Sequence, residues 1–158
     1  QLGQFEEVAA EDMPAVFRGL LAHNEHMTVT VESFHHSPVD VQVLETLVDD
    51  HHYARKILLT RQSDGGVVQY GIVRLNFDYV SPEVRAEIEG QRIPLGRVLI
   101  QHDVLREVQL SSLWRVAPGP DLRRYLQVPP ADEVYGRTAL IFCNGEPAVE
   151  LLEIVTPA

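Results

Sequence analysis

The chain of 158 residues has little cysteine, little positive charge and no long apolar run, and each shortage closes off a class of protein. The single cysteine, Cys143, cannot form an intramolecular disulfide or a cysteine-based zinc site, and suits a reducing compartment. Thirteen Lys and Arg stand against 23 Asp and Glu, a formal net charge of −10. Binding to nucleic acid or to an anionic membrane needs the opposite balance, so neither is expected as a partner. No stretch approaches the roughly 20 apolar residues of a membrane span, and no basic segment leads into an apolar leader. The expectation is a cytoplasmic protein. Also missing are G-x-S-x-G, a Walker loop and G-x-G-x-x-G, which leaves a serine hydrolase, an NTPase and a dinucleotide enzyme unsupported.

What is present describes a folded domain. A hydrophobic fraction of 45% with 23% charged residues is globular, and the length suits one domain over residues 1–158. Met13, Val16, Phe17, Leu20 and Leu21 recur at helical spacing and predict a helix over Glu11–Ala22. Thr28–Phe34 alternates and is rich in β-branched residues, which predicts a strand. Tyr53–Arg61 and Val67–Phe77 flank Ser63-Asp64-Gly65-Gly66, a hairpin signal; Thr138–Cys143 and Ala148–Val155 flank a second, built on Asn144-Gly145. Ser81-Pro82 opens a short helix ending at Gly90, Pro94–Gln101 reads as a second, and Asp121–Leu126 as a third. Leu105–Trp114 is ambiguous between helix and strand. Hairpins with helices inserted between them predict an α+β fold, an antiparallel sheet with helices on one face.

The chemistry-bearing residues are sparse. His35-His36 and His51-His52 are adjacent pairs, which point to opposite faces of a strand, and His23 and His26 have no carboxylate at ligand spacing. No metal site is expected. Cys143 reads as a buried, inert thiol. Arg55 interrupts an apolar strand with the same parity as Ile57 and Leu59, so it faces whatever they face. A buried guanidinium needs an anionic partner, from the protein or from a ligand. Glu150 and Glu153 lie three apart on the last strand, hence on opposite faces, so one can be solvated while the other faces the core. An inward Glu near an inward Arg is either a structural ion pair or a site for a small polar ligand.

Four segments together resemble the chorismate lyase family: His26-Met27-Thr28; Arg55-Lys56-Ile57-Leu58-Leu59; Ile93-Pro94-Leu95-Gly96-Arg97-Val98-Leu99; and Gly136-Arg137-Thr138 through Asn144-Gly145-Glu146-Pro147 to Glu153-Ile154-Val155. The resemblance implies a chorismate lyase-like fold with a cavity sealed by flaps, and the conversion of chorismate to 4-hydroxybenzoate and pyruvate without a cofactor. It implies that Arg55 binds the ring carboxylate, that Glu153 contacts the other end of the ligand, and that Met27 and Leu95 line the pocket. Arg97, Arg137 and Arg92 are further cations available to a dianionic substrate. Three departures stand out: Leu152 where family members often have Thr, the extra acid Glu150, and a segment from Leu105 to Tyr135 longer than in the shortest lyases.

A second class shares the fold: effector domains of GntR-type transcription regulators, which bind small carboxylates or sugar phosphates without chemistry. Their DNA-binding winged helix precedes the domain. About 25 residues precede the first predicted strand here, too few for such a module, so the lyase is the leading expectation and the binding domain its alternative. In both, the partner is a small carboxylate, aromatic or pre-aromatic for the lyase.

Overall fold

The computed structural model describes residues 2–93, 95–102, 106–129 and 131–158. Seven strands form one antiparallel sheet: β1 (Gly3–Val8), β2 (Val39–Val48), β3 (His52–Arg61), β4 (Val67–Asn76), β5 (Arg106–Pro118), β6 (Val134–Cys143) and β7 (Glu146–Val155), in the order β1-β5-β6-β7-β4-β3-β2. Both predicted hairpins are present, as β3–β4 and β6–β7. Asn144 (φ 52°) and Gly145 (φ 85°) take the positive φ that a two-residue hairpin demands. The ambiguous segment is strand β5; its predicted start, Leu105, and Pro94 lie outside the described residues.

The helices are α1 (Ala15–Leu21), α2 (Met27–His35), α3 (Pro82–Gly90), α4 (Leu95–Gln101) and α5 (Pro120–Leu126). Ser81 caps α3, accepting from the Val84 N–H at 3.3 Å, with Pro82 in the first turn. The strand predicted over Thr28–Phe34 is instead helix α2. Met27, Thr28 and Val31 are buried, and their i, i+3, i+4 spacing makes one apolar stripe against the sheet, which overrides β-branched propensity. The predicted helix over Glu11–Ala22 is shorter than expected. A 3-10 turn at Ala10–Asp12 and an extended Pro14 precede α1.

Sheet parity separates two layers. Residues of α1 and α2 pack with Ile57, Leu59, Leu113, Tyr135 and Val155, while α3 and α4 pack with Val73, Ala139, Ile141, Val149 and Leu151, all on one face. Leu122 and Leu126 of α5 meet Leu58, Tyr70, Val116, Val134 and Ile154 on the opposite face. The predicted single-faced helical layer therefore describes α1 to α4, and α5 is an addition on the other side. No helix of the described residues is long and apolar enough to cross a membrane.

Candidate functional site

Between the sheet and the roof made by α2 and α4 lies a cavity. Its floor is Ile57 and Leu59 of β3, Gln69, Gly71 and Val73 of β4, Leu151 and Glu153 of β7, and Arg137 and Ile141 of β6; Met27, Thr28 and Leu95 reach down from the roof. These floor positions alternate along their strands, so the pleat itself aims them at one place. The cavity measures about 30 Å³, room for little more than a water molecule. Arg97 of α4 is ion-paired with Glu32 of α2, a tie across the roof.

Arg55 flanks this cavity. It lies in register with Val73 on β4 and Thr46 on β2, two residues from Ile57 on the same face, and only 2% of it is exposed. Its Nε, Nη1 and Nη2 are buried without a hydrogen-bond partner among the described residues. Burial pushes its pKa below the ordinary arginine value, with partial compensation from the neighbouring Tyr53 hydroxyl. The guanidinium carbon also sits 5.9 Å from the centre of the Tyr53 ring. Tyr53 is itself held by Gln91, whose Nε2 donates to the Tyr53 hydroxyl at 3.2 Å and to Thr46 Oγ1 at 2.8 Å.

Arg137 is the opposite case. Equally buried, it donates from Nε to Glu153 Oε1 at 2.8 Å, from Nη1 to the His23 carbonyl at 2.8 Å and from Nη2 to the Glu25 carbonyl at 2.8 Å. It staples the loop between α1 and α2 to the sheet. The inward Glu of the last strand thus meets an Arg on the adjacent strand, not Arg55. Its second oxygen, Oε2, receives a long contact of 3.4 Å from Gln69 Nε2 and borders the cavity. Glu150 lies on the solvated face, beside Arg74, as its three-residue offset from Glu153 requires.

Of the sequence-predicted residues, the structure brings Met27, Leu95, Arg137 and Glu153 together around the cavity and places Arg55 at its flank. Arg97 is drawn off to Glu32, and Arg92 is exposed. His23 packs through its ring: Nε2 meets the Leu20 carbonyl at 2.7 Å and Nδ1 accepts from the Glu25 N–H at 3.1 Å. Cys143 is buried. Sequence reasoning missed Gln69. Its signal was available, since Gln69 has the inward parity of Gly71 and Val73 once the hairpin is placed.

The spacing of Arg55 and Glu153 follows from register. Glu153 pairs with Gly71, which pairs with Ile57, so Glu153 is two strands across and two residues along from Arg55. At about 4.8 Å per strand and 3.4 Å per residue, their Cα atoms are roughly 12 Å apart. Two inward side chains at that separation can address the two ends of a molecule the size of a substituted six-membered ring.

No family model and no curated protein matches the chain. Solved structures do. PhnF from Mycobacterium smegmatis matches with a TM-score of 0.58 at 11% identity, over 82% of this chain and 63% of that one. The ligand-binding domain of a putative GntR-family transcriptional regulator from Bordetella bronchiseptica matches with a TM-score of 0.52 at 13% identity, over 76% and 83%. The possible transcriptional regulator YydK from Bacillus subtilis matches with a TM-score of 0.53 at 12% identity, over 75% and 58%. What is shared is the fold. The chain spans less than two thirds of PhnF and of YydK, and none of the three is a chorismate lyase.

Proposed function

We propose that this domain binds a small organic acid in the cavity beneath α2 and α4, with the carboxylate on Arg55. The observation that carries the reading is the unpaired, buried guanidinium. A charge left without a partner in an apolar setting is costly, and a planar anion supplying two acceptors removes that cost with bidentate geometry. The fold is shared with a structure named as a ligand-binding domain, which supports binding over turnover and so favours the alternative expectation over the leading one. With about 30 Å³ of space, the cavity is smaller than such an acid, and its entry would require α2 and α4 to part at the Glu32–Arg97 tie. Titration of benzoate and 4-hydroxybenzoate into the wild type and Arg55→Gln by calorimetry tests this. Saturable binding by the wild type, lost in the variant, is the expected result; binding that survives the substitution would overturn it.

A second reading, the conversion of chorismate, is favoured by one observation: Glu153 Oε2 offers an acceptor at the end of the cavity away from Arg55. In that reaction the ring C–O bond to the enolpyruvyl group breaks, a ring proton leaves, and the ring becomes aromatic. Arg55 would orient the ring carboxylate, Glu153 would accept the ring proton or hydrogen-bond the ring hydroxyl, and the enolpyruvyl group would leave as enolpyruvate and be protonated to pyruvate. Single-turnover incubation with chorismate, following 4-hydroxybenzoate and pyruvate, decides it. Product above the uncatalysed rate, lost in Arg55→Gln, supports the lyase; no product alongside intact 4-hydroxybenzoate binding leaves the binding domain.

A further inference from the structure

Gln69 and Glu153 both line the cavity. Gln69 is 2% exposed, and its Oε1 is buried with no partner among the described residues. Its Nε2 points at Glu153 Oε2 at 3.4 Å. That fixes which way the amide faces, because the reverse orientation would set the amide oxygen against a carboxylate. Glu153 Oε1 is already engaged by Arg137 at 2.8 Å, so Oε2 is the oxygen with capacity left. Gly71 keeps the place open: a Cβ there would stand 3.3 Å from Ile57 Cγ1 and 3.6 Å from Gln69 Nε2. Two acceptors thus border one cavity wall, Gln69 Oε1 and Glu153 Oε2. Given the size of an amide group, they lie roughly 4–5.5 Å apart, a span that two hydrogen bonds of about 2.9 Å from one nitrogen can cover.

We propose that Gln69 and Glu153 form a specificity subsite that selects acids whose far end carries a primary amino group. One N–H serves Glu153 Oε2 and the other serves Gln69 Oε1. A hydroxyl has a single O–H and leaves one of the two acceptors unserved, and an unsubstituted ring leaves both. The inference rests on the reading of Arg55 as the carboxylate site, and the test separates the two.

The experiment is calorimetric titration of benzoate, 4-hydroxybenzoate and 4-aminobenzoate into the wild type, Gln69→Leu and Arg55→Gln, with thermal melting of each ligand-free protein. In the wild type the amino acid is expected to bind roughly tenfold more tightly than the hydroxy acid, the worth of one further buried acceptor satisfied. Gln69→Leu is expected to erase that preference while retaining benzoate, and to melt close to the wild type, because removal of the unserved Oε1 offsets loss of the long 3.4 Å contact to Glu153 Oε2. Equal affinity for the amino and hydroxy acids, a preference that survives Gln69→Leu, or a large loss of melting temperature in Gln69→Leu would overturn the subsite and leave the Arg55 reading intact. Benzoate binding that survives Arg55→Gln would overturn the Arg55 reading first. Failure of all three acids to bind the wild type would overturn both.

Discussion

Replacing Arg55 by methionine should move stability and binding in opposite directions. The guanidinium is 2% exposed and its nitrogens are without a hydrogen-bond partner among the described residues, so the free protein bears a desolvation cost that the neighbouring Tyr53 offsets only in part. Methionine has a similar length, fills irregular space and carries no charge. Exchanging buried ionic groups for apolar ones of similar volume has stabilised other proteins by about 1–4 kcal/mol. Compensation from Tyr53 argues for the lower half of that range, about 1–2 kcal/mol. For a domain of this size that corresponds to a melting temperature higher by roughly 2–8 °C. Binding of an acid should fall by about 2–5 kcal/mol, roughly 30-fold to several thousandfold, as one side of a buried charged pair is lost. Thermal and urea melts of both proteins, with and without saturating benzoate, read both quantities. A ligand at 100 times its wild-type dissociation constant should raise wild-type stability by about 2.7 kcal/mol and that of Arg55→Met by no more than about 0.9 kcal/mol. A variant that is destabilised by 2 kcal/mol or more would refute the reasoning, since it would mean that Arg55 already holds a structural partner.

Other perturbations probe the frame. Arg137→Ala should destabilise by about 3–5 kcal/mol, because it leaves Glu153 buried and unties the α1–α2 loop; urea melts of Arg137→Ala, Glu153→Ala and the double variant should show sub-additive losses. At Gly136 a Cβ would stand 2.8 Å from the Glu153 carbonyl and 2.9 Å from Ile154 Cγ1. Gly136→Ala should therefore cost roughly 1–3 kcal/mol or more in a denaturant melt by prising β6 from β7. The pKa of His23 is held below its ordinary value by burial and by Arg137, and Nδ1 already faces the Glu25 N–H and Arg137 Nη1. Its folded pKa being the lower, the unfolded chain takes up the proton first, so stability should fall as pH drops through about 6.5. His35, lowered chiefly by burial and also by Arg61, acts with the same sign. Melts from pH 7.5 to 5 should show the fall, and His23→Gln should reduce its slope.

Much of this was legible in the chain because the signals were local. The two hairpins announce themselves through Gly65 and Asn144-Gly145, and strand parity puts Arg55 on the face of Ile57 and Leu59 and sets Glu150 and Glu153 on opposite faces; which of the two is inward is decided by the sheet. Helix α2 was misread because Thr28, Val29, Thr30 and Val31 carry β propensity, while the stripe that decides the element is completed only by the sheet beneath it. Edge strand β1 is mostly exposed and has no apolar alternation to find. Edge strand β2 alternates at Val39, Val41 and Val43, a period-2 signal that the expected strand over Thr28–Phe34 does not reach. The partner of Glu153 lay beyond local reading, because register between β6 and β7 pairs it with Arg137 and leaves Arg55 alone.

That division between two buried arginines is the decisive feature of the site. The sheet buries Arg55 and Arg137 alike, each an inward cation. The fold gives Arg137 a carboxylate and two carbonyls and gives Arg55 an aromatic ring and a hydroxyl. A protein selected for stability alone has no reason to keep the second arrangement, since an apolar residue there is better. On the proposed reading the cost is returned when a bound anion completes the site, and the same feature then supplies free energy of binding. Arg137 fixes Glu153 at the other end, where a mobile carboxylate would blur the distance between the two recognition points. On that reading, rigidity at Glu153 and an unmet charge at Arg55 are complementary parts of one arrangement that selects an acid by its length.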